Sequence, residues 1–131
     1  MRPEPPRNAD TVAEVGEFGL IRRVTAGRTQ PPTTLLGPGD DAAVVAAPDG
    51  RVVVSTDVLV EGVHFRLDWS SPEQVGRKAA AVNLADVAAM GAVPTALTIG
   101  LACPADTPAS VVEGITAGLW QEAVVAGAGV V

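Results

Sequence analysis

Two short runs, Val52-Val53-Val54 and Leu97-Thr98-Ile99, restrict the fold more than any other feature, because they leave few polar positions on either side of an extended strand. A strand with one wet face alternates apolar and polar residues, whereas a run that is apolar on both sides has to be covered on both. These segments therefore belong in a sheet with something packed on each face. Aromatic residues are only 3% of the sequence against a hydrophobic fraction of 47%, so the covering core is built from Val, Ala, Leu and Ile. At 131 residues there is room for one domain, which at that size buries roughly two thirds of its extended-chain surface.

Residues 1–12 read as a Pro-rich disordered tail and residues 13–131 as the domain. Glu17 to Val24 has Phe18, Ile21 and Val24 at helical spacing. Leu35-Leu36, Ala42 to Ala47 and Val52 to Asp57 read as strands, with Pro48-Asp49-Gly50 as the hairpin turn between the last two. A polar loop covers Leu59 to Ser70. The main helix follows, with Ser71 as N-cap, Pro72 in the first helical position, Gln74 completing a capping box, and Gly91 closing it in a left-handed conformation. A strand over Thr95 to Ala102, a second helix from Thr107-Pro108 to Gly127 or Gly129, and a strand beginning at Val130 complete the reading. The expected class is α+β: a mixed sheet with helices packed on one face, its other face covered by a second subunit or a further domain.

Acidic residues sit at the edges of these apolar elements. Asp40-Asp41 precede Ala42 to Val45, Asp57 closes Val52 to Val54 directly after Ser55 and Thr56, and Asp86 lies among Ala and Val on the helix that carries Asn83. A carboxylate in such a place has to be hydrated, paired, or bound to a cation. Basic residues are scarce nearby, and hard divalent ions such as Mg2+ take oxygen ligands of this kind and share them with phosphates. Asp40-Asp41 alone reads as an ordinary solvated turn. The three stations together favour a site where Mg2+ and a polyphosphate meet.

Other chemistries are excluded or weakened. A net charge of −6 argues against a nucleic-acid footprint. One cysteine and one histidine cannot assemble a zinc site, and Cys103, in an apolar run, reads as a buried inert thiol. Gly37-Pro38-Gly39-Asp40-Asp41-Ala42 matches the dinucleotide pattern formally, but a strand rather than a helix is expected after it. Val87 to Ala105 is uncharged, yet Gly91 and Pro94 interrupt it, so it reads as a helix end, a turn and a buried strand rather than a membrane span. With no secretory signal visible, a cytoplasmic protein is expected. Trp69 and Trp120 read as core or interface fillers and Lys78, Glu113 and Glu122 as solvated helix charges, while His64, in Glu61-Gly62-Val63-His64-Phe65, reads as surface decoration, the usual state of a lone loop histidine, with a ligand-facing loop as the weaker alternative that its glycine and aromatic neighbours suit.

At Gly16 to Ile21, Gly37 to Asp41, Ser55 to Phe65 and Lys78 to Ala92 the sequence resembles the amino-terminal domain of the thiamine-monophosphate kinases, within the aminoimidazole-ribonucleotide synthetase-like ATP-binding superfamily. The resemblance implies ATP-dependent phosphorylation of thiamine monophosphate to thiamine diphosphate by direct transfer. Carried over position by position, it implies Asp41, Ser55, Thr56, Asp57 and Asp86 as Mg2+ ligands and His64 as a contact to the substrate, with no catalytic base. It also implies a homodimer whose paired sheets close into a barrel, and a Gly-Gly-Asp motif and second domain beyond Val131, without which this piece is expected to be inactive. The alternatives are a purine-pathway enzyme of the same superfamily, which the Val60-Glu61-Gly62-Val63-His64-Phe65 run disfavours, and a non-catalytic dimerisation module. A selenophosphate synthetase is disfavoured because no cysteine precedes Cys103.

Overall fold

The computed structural model describes residues 10–39 and 41–131. Its elements run α1 (Val12–Val15), α2 (Glu17–Thr25), β1 (Thr34–Leu36), β2 (Val44–Val45), α3 (Pro72–Ala89), β3 (Ala96–Leu97), α4 (Ala109–Ala126) and β4 (Gly129–Val130).

The two long helices dominate, and their boundaries follow from local chemistry. Ser71 accepts from the Gln74 backbone and the Gln74 side chain reaches back, so the expected capping box forms with Pro72 at the helix start. After α3 the chain reverses at Gly91, with φ +70, and after α4 at Gly127, with φ +72. Both lie in the left-handed region that glycine adopts at low cost. The helices cross almost backbone to backbone: a Cβ added at Gly76 would lie 1.8 Å from the Ile115 carbonyl oxygen, and one at Gly118 would lie 2.0 Å from that of Glu73. Val75, Gly76 and Ala80 of α3 and Val112, Gly118 and Leu119 of α4 are buried. At the rim Arg77 meets Glu122 at 2.7 Å and Gln121 donates to Glu73 at 2.5 Å.

β3 and β4 pair in parallel, Ala96 with Gly129 and Leu97 with Val130, with α4 as the crossover between them. Trp120, Ala123, Ala128 and Val130 form the core beneath this pair, with Leu97 packed against it. The Gln30 amide donates to the Val130 carbonyl at 2.7 Å and ties the loop before β1 to the same place. A second core joins Leu20, Ala109 and Val112 to Val12, Val15 and Val24.

Several expectations change. One mixed sheet was anticipated, but the strands form two separate two-stranded sheets, β1–β2 antiparallel and β3–β4 parallel. Residues 51–59 join neither, although Pro48-Asp49-Gly50 does turn, with the Gly50 N–H on the Ala47 carbonyl at 2.9 Å. β1 occupies the antiparallel edge of β2 instead, and Val52 and Val54 are left 75% and 82% exposed. An apolar strand stays solvated when no element of its own chain supplies a ladder partner, which is why pattern alone overstated the sheet. Cys103 is exposed, because Leu101 and its neighbours lie outside the core rather than in a buried strand. Trp120 is buried as expected, while Trp69 is exposed beneath the Arg66 guanidinium at 4.5 Å. Glu113 and Glu122 are ion-paired, to Arg23 and Arg77, rather than simply solvated.

Of the anticipated tail, residues 1–9 lie outside the described residues, but Asp10 to Val12 are engaged. Thr11 and Glu14 form a capping box on α1, whose Thr-x-x-Glu signature is present in the sequence. The Ala109 N–H donates to the Asp10 carbonyl at 2.8 Å and the Val12 N–H to the Thr107 carbonyl at 2.8 Å. The uncharged stretch from Val87 does divide into the end of α3, a turn and a strand, but the strand anticipated over Thr95 to Ala102 as buried is reduced to the half-buried pair Ala96–Leu97, with Ile99 and Leu101 exposed beyond it. Among the described residues no helix is long and apolar enough to cross a membrane.

Candidate functional site

The candidate site forms where the exposed segment 51–59 runs beside α3. Ser55 and Asp57, two residues apart on an extended segment, fall on the same side. Asn83 and Asp86, three apart on a helix, likewise share a face. The Asn83 amide is anchored by its Nδ2 donating to the Ala79 carbonyl at 2.9 Å, which leaves Oδ1 to accept the Asp57 N–H at 3.1 Å. Ser55 Oγ stands 3.5 Å from Asp86 Oδ2, and Asp57 Oδ1 takes the Val58 N–H at 3.0 Å. Thr56, between the two contacts, is exposed.

Several carboxylates of the molecule are ion-paired. Arg23 holds Asp10 and Glu113, Arg51 holds Asp49, Arg66 holds Asp68, and Arg77 holds Glu122. Among the described residues Asp86 meets the Ser55 hydroxyl and Asp57 the Val58 N–H, and neither has an ion-pair partner. Their negative charge is thus open to a cation from solvent, and the donors around it are all oxygen. Mg2+ commonly takes one or two carboxylates and completes its shell with waters and substrate phosphates, so the set fits in kind. It does not form a closed cage: among the described residues no three His, Cys, Asp or Glu side chains converge. Asp41, exposed on the approach to β2, is therefore not gathered with Asp57 and Asp86 into a three-carboxylate group. Asp40 lies outside the described residues.

The glycine turn before β2 leads into a strand, so no helix N-terminus follows Gly37-Pro38-Gly39 to receive a pyrophosphate. His64 stands on the exposed loop between the 51–59 segment and α3. Its Nδ1 accepts the Val60 N–H at 3.0 Å, and the loop is cross-braced by Gly62 N–H to the Phe65 carbonyl at 2.7 Å. Lys78 on α3 donates from Nζ to the His64 carbonyl. Farther along the loop Arg66 forms a two-pronged pair with Asp68, Nε to Oδ1 at 2.9 Å and Nη2 to Oδ2 at 2.6 Å. That guanidinium holds the Asp68 carboxyl below the usual carboxylate range. The sequence pointed to Ser55, Asp57, Asp86 and His64, but the parts of Asn83 and Lys78 emerge only from the structure. Asn83 carries a signal in its spacing, one helical turn before Asp86, while Lys78 carries none. A hollow of about 530 Å³ lined by Glu14, Gly19, Arg22 and Arg23 lies apart from all of these residues, and Arg23 within it is already committed to Asp10 and Glu113.

Residues 39–131 match the family model of AIR synthase related proteins, N-terminal domain. The chain is 57% identical over 121 residues to a protein of Mycobacterium tuberculosis named thiamine-monophosphate kinase, covering 92% of this chain and 36% of that relative. A thiamine-monophosphate kinase of Corynebacterium glutamicum is 46% identical over 121 residues, covering 91% and 35%. Among solved structures, the thiamine-monophosphate kinase of Stenotrophomonas maltophilia superposes with a TM-score of 0.68 at 35% identity, over 85% of this chain and 34% of that one. The chain thus spans about a third of the length of the curated relatives it matches.

Proposed function

The chain belongs to the family of AIR synthase related proteins, as their N-terminal domain, and from that premise we propose that it is the nucleotide and metal half of a thiamine-monophosphate kinase. The reaction is transfer of the γ-phosphoryl group of ATP to a phosphate oxygen of thiamine monophosphate, giving thiamine diphosphate and ADP. The names of the relatives supply the substrate. The observation that carries the chemistry is the pair Asp57 and Asp86, set beside Ser55 and Asn83 and matched, among the described residues, to no arginine or lysine.

Phosphoryl transfer asks a protein chiefly for positioning and charge neutralisation. Asp57 and Asp86, with Ser55, would hold Mg2+, which when bound offsets the charge of the phosphates. Thr56 and Asp41 are proposed as further ligands, Asp41 joining once nucleotide is present. Asn83 keeps the Asp57 backbone in place. No side chain has to remove a proton, because a phosphate-monoester oxygen is already largely anionic near neutral pH. His64 is proposed to meet the acceptor substrate.

The remaining parts of the reading follow from the exposed apolar segments. Val52, Val54, Val58 and Leu101 leave a surface suited to a second copy of the chain, so a homodimer with its sheets joined is proposed. Residues 13–131 are taken as the ATP and Mg2+ unit, working in the cytoplasm with sequence beyond Val131 and inactive alone. A coupled assay on the full-length protein, with thiamine monophosphate, thiamine and an aminoimidazole precursor as competing acceptors, tests the proposal. Preference for thiamine monophosphate is expected. Turnover of the aminoimidazole compound instead would reassign the protein to the purine branch, and absence of any ATP turnover would favour a non-catalytic module.

A further inference from the structure

We propose that Lys78 is a positioning residue: it fastens the Val60–Phe65 loop to α3 and so fixes His64 as a one-way hydrogen-bond donor, its Nε2–H reserved for a lone-pair atom of the acceptor substrate. The idea rests on the kinase reading above and adds to it the tautomer of the contact and the group that holds it.

The loop closes on itself before it meets anything else. The Val60 carbonyl accepts the N–H groups of Val63 at 3.1 Å and His64 at 2.9 Å, and the Val60 N–H donates to His64 Nδ1 at 3.0 Å. Gly62, with φ +84, turns its N–H onto the Phe65 carbonyl at 2.7 Å. The chain from Val60 to Phe65 is thus a small ring held by four bonds. The His64 carbonyl takes no part in these four bonds, and it accepts from Lys78 Nζ.

A ring nitrogen that accepts an N–H carries no proton of its own, so in neutral His64 the proton sits on Nε2. The imidazole then offers solvent a donor and no acceptor, which selects a phosphate oxygen or an unprotonated ring nitrogen and rejects an N–H. Lys78 stands eight residues, about two helical turns, before Asp86 on the same rigid helix. One element therefore sets both the proposed acceptor contact and one of the proposed metal ligands. Preorganisation of this sort improves binding by removing the ordering cost from the binding step.

The test uses the full-length protein and two substitutions that split the imidazole in half. His64→Gln keeps a donor near the Nε2 position and loses the inward acceptor, whereas His64→Asn keeps an acceptor near Nδ1 and loses the outward donor. The glutamine variant is expected to hold its thiamine monophosphate KM within about threefold of wild type and the asparagine variant to raise it about tenfold or more, with the ATP KM unchanged in both. Lys78→Met is expected to raise the same KM several-fold with little change in kcat. In protein labelled with 15N-histidine, the His64 signals, identified by their loss in His64→Gln, should show an unprotonated Nδ1 and a protonated Nε2, and Lys78→Met should average the two. Rescue by asparagine but not glutamine overturns the proposal, as does a proton on Nδ1 or a Lys78→Met protein with unaltered spectrum and KM. A wild-type protein that makes no thiamine diphosphate overturns the kinase reading and the ligand half of this inference together, while the spectrum still decides the fastening.

Discussion

Replacing Gly76 by alanine should destabilise the protein even though alanine is the better helix former. In a helix interior the exchange by itself favours alanine by about 1 kcal/mol. Against this, the new methyl would lie 1.8 Å from the Ile115 carbonyl oxygen, 2.7 Å from its carbon and 3.0 Å from the Leu119 nitrogen. All three obstacles are backbone atoms of α4, so no rotamer change can make room. Restoring ordinary carbon contact near 3.5 Å would require the helices to part by roughly 1.7 Å along their whole crossing. Overpacking of a core commonly costs about 1–3 kcal/mol, and rigid obstacles put this case at the upper end, for a net loss of about 2 kcal/mol. Gly114 is the internal control. Its added methyl meets the Pro72 Cβ at 2.8 Å but nothing else nearer than 3.6 Å, so Gly114→Ala, with one milder clash to relieve, should cost clearly less than Gly76→Ala. Urea unfolding followed by circular dichroism gives both values. If Gly76→Ala proves as stable as Gly114→Ala, backbone approach is not what holds α3 against α4.

Asp57→Asn in the full-length enzyme should lower turnover on the order of 100-fold, comparable to losing one strong transition-state stabiliser, with the unfolding midpoint preserved; near-normal turnover at saturating Mg2+ would remove Asp57 from the metal set. Gly91→Ala places a side chain at φ +70 with open space around it, so it should cost about 1 kcal/mol from backbone conformation alone, measurable as a lower unfolding midpoint. Asp68, whose folded carboxyl is held below its ordinary range by Arg66, contributes stability that is present above the unfolded value and fades as pH falls through the folded one. Arg66→Gln should therefore move the Asp68 titration midpoint upward in a carboxyl-carbon NMR titration, and an unmoved midpoint would mean the pair does not persist in solution.

Helices were legible in the sequence because their signals are local. Ser71, Pro72, Gln74 and Gly91 each state a boundary within a few residues of where they act, and α3 begins and ends accordingly. α1 was equally legible through Thr11 and Glu14 but was hidden by the Pro-rich stretch before it. Strands were harder, since a strand exists only with a partner. Val52-Val53-Val54 has the composition of a buried strand, yet β1 takes the place beside β2 and leaves it unpaired. The candidate site divides the same way. Asp57 and Asp86 announce themselves as charges at the ends of apolar elements. Lys78 acts through a backbone carbonyl fourteen residues away, and no residue-type pattern records a bond to a carbonyl.

The attachment of Asp10 and Val12 to the start of α4 bears on the order in which the molecule assembles. α4 has no side-chain cap, and the Asp10 carbonyl serves its first residue instead. The two partners are separated by roughly a hundred residues, a loop whose closure entropy is repaid only after the intervening structure exists. During synthesis the segment that carries α1 emerges well before α4 and must wait, with Val12, Val15 and Leu20 unsatisfied, until that helix arrives. The segment that carries α1 thus finds its place only after α4 has formed, and as a late-forming contact of long sequence separation it is also a natural early point of opening.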